Sequence, residues 1–346
     1  MKYAVLTGKE QFSIREGELH TNGCAVLKVT HIGVCGTDTG YWHEGDQHQG
    51  VVIGHEYSGI VVDPGTNQEL KVGDRVAGYT QNAYHEPCGH CPACLAGDWE
   101  HCTNRTVRTW KGGELEHPGA YSQYTAWFPH SLAKLPDNVS NEEGAMVEPF
   151  AVGLHAIQVS QVKPNDKVLI LGGGIIGMTC AEWARTYGAS ELTVTEINPQ
   201  KMEIIKGYGV VDHVVKADAP DLDAQLQEIS KGGYDLVIDC AGIPSALQTG
   251  INALKKEFYM RVTAVGLPHA QFPIDYEHIV LKQVILRGSK GHNFDEFRSV
   301  INAMSTGRLS VKKYVSRRIK LEQVQEGFEA MKAARGLDTK VIIETE

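Results

Sequence analysis

The stretch from Lys167 to Glu196 constrains the fold of this chain more than any other part of its sequence. It begins with a short apolar run at 167–171, which is typical of a buried parallel strand. A glycine turn with the spacing G-x-G-x-x-G follows directly, then a stripe of apolar residues at helical spacing and a second strand at 191–195. The glycines are Gly172, Gly174 and Gly177.

This β-α-β unit predicts a dinucleotide-binding site. The first glycine permits a tight turn, the second lets backbone N–H groups approach a pyrophosphate, and the third lets the helix pack on the strand. Glu196 can accept the ribose hydroxyls of NAD and would repel the 2′-phosphate of NADP. A glycine-rich hinge is the alternative, but strand, helix and acid in register favour NAD. The predicted contacts in this unit are Gly172, Gly174, Ile175, Ile176, Gly177 and Glu196.

The chain continues in a pattern that alternates helices and strands, which predicts a doubly wound parallel sheet covered on both faces. Four further strands are predicted at 212–215, 234–239, 260–265 and 283–287. Residues 1–34 instead alternate short apolar runs with glycine and polar turns, which indicates a β-rich domain.

Length and composition narrow the class of protein. A chain of 346 residues exceeds what one core usually serves, so two domains are expected. With a net charge of −9 and no basic run, neither nucleic acid nor an anionic membrane is an expected partner. The N-terminal residues show no signal-peptide pattern, and no apolar run is long enough to span a bilayer, so a cytoplasmic location is expected.

Four of the eight cysteines lie in one short loop, 88–102. Four thiolates from such a loop can close a tetrahedron around zinc and leave no open position for a substrate. Two disulfides or four free core thiols are the alternatives. The loop is too polar for a core, and disulfides are not expected because the sequence shows no secretory signal. The spacing therefore predicts a structural zinc site formed by Cys88, Cys91, Cys94 and Cys102.

A second set of metal-binding residue types is scattered along the chain: Cys35, His55, Glu56 and Glu148. Open catalytic zinc sites take about three protein ligands and keep one position for water or substrate. Taken alone, His55 would more often be a strand-end histidine, and Cys35 a buried thiol.

The order and spacing of these motifs resemble the zinc-dependent medium-chain dehydrogenase/reductases over essentially the whole chain. The motifs are Cys35-Gly-Thr-Asp, Gly54-His-Glu, Val72-Gly-Asp-Arg-Val, the four-cysteine loop, Glu148-Pro and the glycine turn. The resemblance implies an α/β protein in which a Rossmann domain at 151–290 is inserted into a GroES-like, β-rich catalytic domain at 1–150 and 291–346.

The resemblance also implies roles for individual residues. Cys35 and His55 would hold a catalytic zinc, with Glu56 and Glu148 as a direct ligand or the holder of its water. Thr37 matches the hydroxyl that takes the substrate proton, and Asp38 matches the carboxylate that orients His55. Further cofactor contacts are implied at the strand ends, at Cys240, Val265 and Gly266.

One departure from the family concerns the proton relay. Family members often have a histidine three residues after the hydroxyl residue, where this chain has Gly40. The relay could instead end at His43, or run through ribose and water. Lys290 and His292 could face the substrate or belong to a solvated loop.

The pattern Glu148-Pro-x-x-Val-Gly resembles the sorbitol and polyol-phosphate branch of the family. It implies oxidation of a secondary alcohol of a polyol or sugar-derived alcohol to a ketone, with NAD, two zinc ions per chain and a dimeric or tetrameric assembly. A cluster of Arg105, Arg108 and Lys111 would suit a phosphorylated substrate, or a solvated loop. The alternatives are a threonine or simple alcohol dehydrogenase, and a non-catalytic NAD-binding protein of the same fold.

Overall fold

A computed structural model describes the chain apart from 20, 22–23, 80–84, 87, 89, 97–101, 105, 108–118, 269–270, 272–273 and 346. The cationic cluster of Arg105, Arg108 and Lys111 lies outside the described residues. Two units are present, one of Met1–Ala151 with His292–Glu346 and the other of Val152–Gly291. We call them the catalytic unit and the dinucleotide unit, after the roles that the resemblance implies. Within the described part of the chain, no helix is both long enough and apolar enough to cross a membrane.

The strands are β1 (Lys2–Gly8), β2 (Gln11–Glu16), β3 (Ala25–Gly33), β4 (Glu56–Asp63), β5 (Arg75–Gly78), β6 (His85–Glu86), β7 (Thr106–Val107), β8 (Tyr124–Trp127), β9 (Leu132–Lys134), β10 (Lys167–Leu171), β11 (Glu191–Glu196), β12 (His213–Lys216), β13 (Leu236–Asp239), β14 (Arg261–Ala264), β15 (Ile285–Gly288), β16 (Val315–Lys320) and β17 (Lys340–Glu344). The helices are α1 (Gly36–His43), α2 (Pro92–Leu95), α3 (Asn141–Gly144), α4 (Val147–Ser160), α5 (Ile175–Thr186), α6 (Pro199–Gly207), α7 (Leu222–Ser230), α8 (Pro244–Ala253), α9 (Tyr276–Lys282), α10 (Phe294–Ser305) and α11 (Val324–Ala333).

The catalytic unit is built on a seven-stranded sheet in the order β16-β17-β3-β4-β5-β9, with β8 paired to β3. The central strand β3 runs antiparallel to β4, β8 and β17, so the C-terminal strand completes a sheet begun near the N-terminus. Large side chains that include Trp42, Tyr121 and Phe328 fill its core. The predicted β-rich character of this part of the chain is confirmed.

One glycine in this unit fixes the entry into β4. Gly54 has a φ of +103°, and a Cβ there would lie 2.4 Å from the ring of Tyr121. A side chain at this position would therefore be strained and would clash with the core. The turn that results presents the next two residues, His55 and Glu56, at the start of β4.

The dinucleotide unit contains a six-stranded parallel sheet in the order β12-β11-β10-β13-β14-β15. The order reverses at β10, which pairs with both β11 and β13, as a doubly wound sheet requires. The predicted parallel sheet is confirmed, with strand bounds that differ by a few residues. Helix α9 was not predicted, and it shortens the last predicted strand: Gln283 has a φ of +50° and ends the helix, so β15 begins at Ile285.

The glycine turn joins β10 to α5 in a space that excludes side chains. Gly172 has a φ of +97°, and a Cβ on Gly177 would lie 2.0 Å from the carbonyl oxygen of Gly172. Gly174 is the N-cap of α5 and has no side-chain oxygen to satisfy the first N–H groups of the helix. These groups are thus free to bind an external anion. Within the described part of the chain, and apart from its own chain neighbours and helix backbone, no atom lies within 4 Å of a Cβ built on Gly174.

We predict that Gly174→Ala leaves the melting temperature nearly unchanged but weakens NADH binding about tenfold or more. The added methyl group meets no side chain among the described residues, yet it occupies the space through which a pyrophosphate approaches the backbone. Thermal melting and NADH fluorescence titration check the two effects. Gly207→Ala in α6, also without a neighbour within 4 Å, is the matched control. Wild-type affinity in the Gly174 variant would contradict the assignment of this turn to the cofactor.

Candidate metal centres and dinucleotide site

The cysteine loop brings its four thiols together. The sulfur atoms of Cys88, Cys91, Cys94 and Cys102 all lie within 4.8 Å of one another. The short helix α2 begins with Cys91 as its N-cap residue and Pro92 in its first turn, and the Cys94 backbone N–H donates to the Cys91 sulfur at 3.5 Å. Local helix geometry therefore places two of the thiols.

Backbone N–H groups in this loop point at sulfur. The N–H of Cys91 donates to Cys88 Sγ at 3.3 Å, and the N–H of Cys88 donates to Cys102 Sγ at 3.3 Å. Such bonds from Cys94 and Thr103 lower the pKa of the Cys91 thiol to about 5. A thiolate at neutral pH is the form that binds zinc, so this donor set fits a closed four-thiolate site.

A second group consists of Cys35, His55 and Glu56, whose candidate ligand atoms also lie within 4.8 Å of one another. Cys35 is the N-cap residue of α1, and its backbone N–H donates to Asp38 Oδ2 at 2.9 Å. The Cys35 sulfur lies 3.7 Å from the hydroxyl oxygen of Thr37. The structure thus gathers residues that the sequence separates into two motifs, and it places the predicted proton acceptor beside them.

Asp38 holds the ring of His55. Its Oδ1 lies 3.5 Å from His55 Nδ1, and its Oδ2 accepts a hydrogen bond from the Tyr121 hydroxyl at 3.1 Å. Burial would lower the pKa of His55, but the negative charges of Asp38 and Cys35 outweigh it and raise this pKa well above its usual value. The environment of the imidazole therefore favours a positive charge, which a metal cation also supplies.

Glu56 is buried, with 1% of its surface exposed, and it forms an ion pair with the equally buried Lys340. The Lys340 ammonium also donates to the carbonyl oxygen of Val34 at 2.9 Å. Burial raises the pKa of Glu56, although the charges of Lys340 and His55 act in the opposite direction. Lys340 was not predicted as a site residue; its signal in the sequence is a lysine at the head of the apolar run Val341–Ile343.

Glu148 stands apart from the three-residue group. It lies in the first turn of α4, and its Oε1 is 3.5 Å from Nε2 of His292. Burial would raise its pKa, but His292, followed by the charges of His55 and Lys340, keeps the pKa of Glu148 below its usual value. His292 is buried, so the solvated-loop interpretation of this residue is wrong, whereas Lys290 is exposed.

The three-residue group passes a simple test for zinc. Zinc lies about 2.0–2.3 Å from thiolate, imidazole and carboxylate ligands, which brings those ligand atoms within about 4 Å of one another. The group of Cys35, His55 and Glu56 requires only a small contraction to reach this geometry.

His43, the residue at which the proton relay could end, has its Nδ1 2.8 Å from Glu10 Oε1.

In the dinucleotide unit, a cavity of about 420 Å³ lies at the carboxyl ends of the strands. Four of the predicted cofactor contacts line this cavity: Gly172, Gly174, Glu196 and Cys240. The other five do not line it: Ile175, Ile176, Gly177, Val265 and Gly266. A larger cavity of about 730 Å³, beside α10 in the catalytic unit, contains none of the predicted site residues.

Glu196 is held at the rim of this cavity by the backbone. Its Oε1 accepts from the N–H groups of Ile197 and Asn198 at 2.8 and 3.0 Å, and its Oε2 accepts from Gly173 N–H at 3.3 Å. A carboxylate fixed beside the glycine turn suits hydrogen bonding to ribose.

Asp239 was not predicted from the sequence. Its side chain accepts hydrogen bonds from the N–H groups of Ala241 and Gly242 at 2.9 and 3.1 Å and so shapes the loop after β13.

We predict that Cys94→Ser removes one of two zinc ions per chain and lowers the melting temperature, because one of four thiolates is lost. Elemental analysis of the purified protein and thermal melting measure the two effects. Cys24→Ser, which changes a buried thiol outside both groups, is the control and should keep both ions. Equal zinc content in the Cys94 variant and the wild type would exclude the structural site.

Comparison with known proteins also indicates a zinc-binding dehydrogenase. The family models described as zinc-binding dehydrogenase and as alcohol dehydrogenase GroES-like domain match residues 176–306 and 21–137. D-xylulose reductase A of Aspergillus niger is 27% identical over 334 residues, which cover 94% of this chain and 90% of that protein.

Two solved structures share the fold over nearly their whole length. An Escherichia coli oxidoreductase of unknown specificity has a TM-score of 0.88 at 27% identity, and the match covers 100% of this chain and 99% of that protein. The 2R,3R-butanediol dehydrogenase of Bacillus subtilis has a TM-score of 0.84 at 26% identity, with 100% of this chain and 99% of that protein covered. The chain is therefore an oxidoreductase that belongs to the zinc-dependent medium-chain dehydrogenase/reductase family, whose cofactors are zinc and a nicotinamide dinucleotide.

Proposed function

We propose that the protein oxidises a secondary alcohol of a polyol or sugar-derived alcohol to a ketone, with NAD as hydride acceptor. The observation that carries this proposal is the convergence of Cys35, His55 and Glu56, with a second carboxylate, Glu148, close by. Two carboxylates and one thiolate make a harder site than two thiolates and one imidazole, which suits a substrate that offers two oxygens. The names of the relatives, D-xylulose reductase and butanediol dehydrogenase, support this substrate class.

In this proposal Cys35, His55 and Glu56 hold the catalytic zinc, and Glu148 orients a water molecule or a second substrate oxygen. Zinc, when bound, lowers the pKa of the substrate hydroxyl. Asp38 fixes the ring of His55 through its contact with Nδ1. Thr37, beside Cys35, accepts the hydroxyl proton and passes it on.

The dinucleotide unit would bind NAD through the glycine turn and Glu196. NAD supplies the hydride acceptor, while the protein supplies position and electrostatics. The anionic Glu196 at the cavity rim favours the ribose hydroxyls of NAD over the 2′-phosphate of NADP. Ile175, Ile176, Gly177, Val265 and Gly266 remain proposed contacts, although they do not line this cavity.

We expect purified protein to reduce NAD with one or more C4–C6 polyols, measured by NADH absorbance, and to use NADP poorly. The panel includes polyol phosphates, threonine and simple alcohols, so that the related activities are measured directly. Thr37→Val should lower kcat by about 10²–10⁴-fold, because it removes the hydroxyl but keeps the shape.

Thr39→Val is the matched control for this experiment, since Thr39 lies on the same helix and its hydroxyl donates to the backbone carbonyl oxygen of Gly36 at 2.6 Å. This variant should retain most of the activity. Two bound zinc ions with no turnover of any alcohol would support a non-catalytic protein of the same fold instead.

We further propose that the protein is a homo-oligomer that uses the open edge of the six-stranded sheet. Strand β15 ends that sheet, and edge strands readily pair with a second chain. Large apolar side chains are exposed on or near it, namely Tyr276, Val280, Leu281 and Leu286 at 71, 53, 63 and 41% exposure.

We also propose a cytoplasmic location, because a reducing cytoplasm would suit the thiolates of both zinc sites.

Sedimentation velocity tests the assembly. Leu286→Glu should shift the protein towards monomers, because it places a charge on the edge strand. Val72→Glu is the control, since Val72 is also 71% exposed but lies in the catalytic unit. A wild-type protein that sediments as a monomer at all concentrations would exclude the proposal.

A further inference from the structure

The imidazole of His292 is enclosed by aromatic rings. It stacks on Phe297 with 5.7 Å between ring centroids and an angle of 16°, and the ring of Tyr79 lies at 81° to it with the centroids 5.1 Å apart. None of the His292 side-chain surface is exposed. Such packing restricts the ring to one orientation.

The backbone of His292 is held as well. The Tyr79 hydroxyl donates to its carbonyl oxygen at 2.9 Å. In the next residue, Asn293 caps α10 by accepting from the N–H of Glu296 at 2.8 Å, and the carboxylate of Glu296 accepts from the N–H of Asn293 at 2.7 Å. The residue is therefore fixed from the side of β5 and from the side of α10.

This orientation directs one nitrogen at Glu148. Nε2 of His292 lies 3.5 Å from Glu148 Oε1, within ion-pair distance, and makes no hydrogen bond to any described atom. Nδ1 lies 3.4 Å from the carbonyl oxygen of Asn293, so a proton carried on Nε2 as well would be donated to the carboxylate. A histidine that only filled the core would leave a buried polar atom unsatisfied, which is unfavourable. The short distance from Nε2 to the carboxylate therefore indicates a role towards Glu148.

The two carboxylates near the candidate metal group are thus held in parallel ways. Glu56 is held by Lys340 and Glu148 by His292, and both partners are buried and come from the C-terminal segment of the catalytic unit. Residues that hold the outer groups of a metal site set the orientation of those groups, and their loss commonly costs about 10–100-fold in metal affinity or activity.

We propose that His292 is a positioning residue that orients the Glu148 carboxylate beside the group of Cys35, His55 and Glu56. The inference rests on the proposed function, because it gives Glu148 a task at the catalytic zinc. It assigns His292 no contact with substrate. The carboxylate of Glu148 is prepared in one orientation before substrate arrives, so the site does not have to order it during turnover.

Two variants test the proposal, because they carry the same amide group on side chains of different length. In His292→Gln the amide nitrogen can reach approximately the position of Nε2, whereas in His292→Asn it falls short of Glu148. We expect the Asn variant to lose about 10–100-fold in kcat/KM and the Gln variant to recover most of that loss. His292→Phe, which keeps the stacking on Phe297 but has no donor, should resemble the Asn variant.

A second readout does not depend on turnover. The catalytic zinc is replaced by cobalt, and the visible absorption spectrum and the chelator concentration that removes the cobalt are measured for each variant. We expect an altered spectrum and easier removal in the Asn and Phe variants, and near wild-type values in the Gln variant. His31→Phe, at a half-buried histidine of β3, is the control for a general loss of packing and should leave both readouts unchanged.

The outcomes separate the two proposals. If the wild type binds two metal ions and oxidises a polyol, but the Asn and Gln variants equal it in kcat/KM and in cobalt spectrum, the role of His292 is excluded and the proposed function stands. If the wild type binds metal at both sites without turnover, the proposed function fails and the cobalt readout still decides the role of His292. Binding of a single ion, at the cysteine loop, would overturn both. If the Phe variant does not fold, the comparison of Asn with Gln decides.

Discussion

The candidate catalytic centre depends on one electrostatic constraint, which is that several anionic side chains are buried close together. A buried carboxylate is unfavourable unless a positive charge or a hydrogen-bond donor compensates it. Asp38 faces His55, Glu56 pairs with Lys340, and Glu148 faces His292. The cluster of Cys35, His55 and Glu56 remains best satisfied by a cation that all three share, which is why a divalent metal fits the site.

The topology of the catalytic unit follows from this need for compensation. Strand β17 pairs with β3, and Lys340 at its start reaches Glu56 at the head of β4. The chain that returns from the dinucleotide unit contributes His292 at once, and α10 begins directly after it. Residues that close the core of this unit are therefore also the residues that orient its carboxylates, so the stability of the unit and the geometry of its centre have the same source.

The dinucleotide unit was largely predictable because its determinants are local. The strand, glycine turn, helix and terminal acid lie within one continuous stretch, and the structure confirms the parallel sheet they imply. Helix α9 shows the limit of such inference. None of its residues is buried, so its apolar residues Tyr276, Ile279 and Val280 do not mark a face that packs on a core. The strand predicted at 283–287 therefore began two residues too early, since β15 starts at Ile285.

The sequence by itself determined the fold class, the family and the four-cysteine group, because each is written in short motifs whose spacing is fixed by local geometry. It also named Cys35, His55, Glu56 and Glu148 as candidate ligands. Only the tertiary structure decided that the first three converge while Glu148 stands slightly apart, and that Lys340 and His292 are their partners. The physical reason is that compensation of buried charge acts through space between distant segments, and a buried lysine or histidine carries no local pattern to reveal its partner.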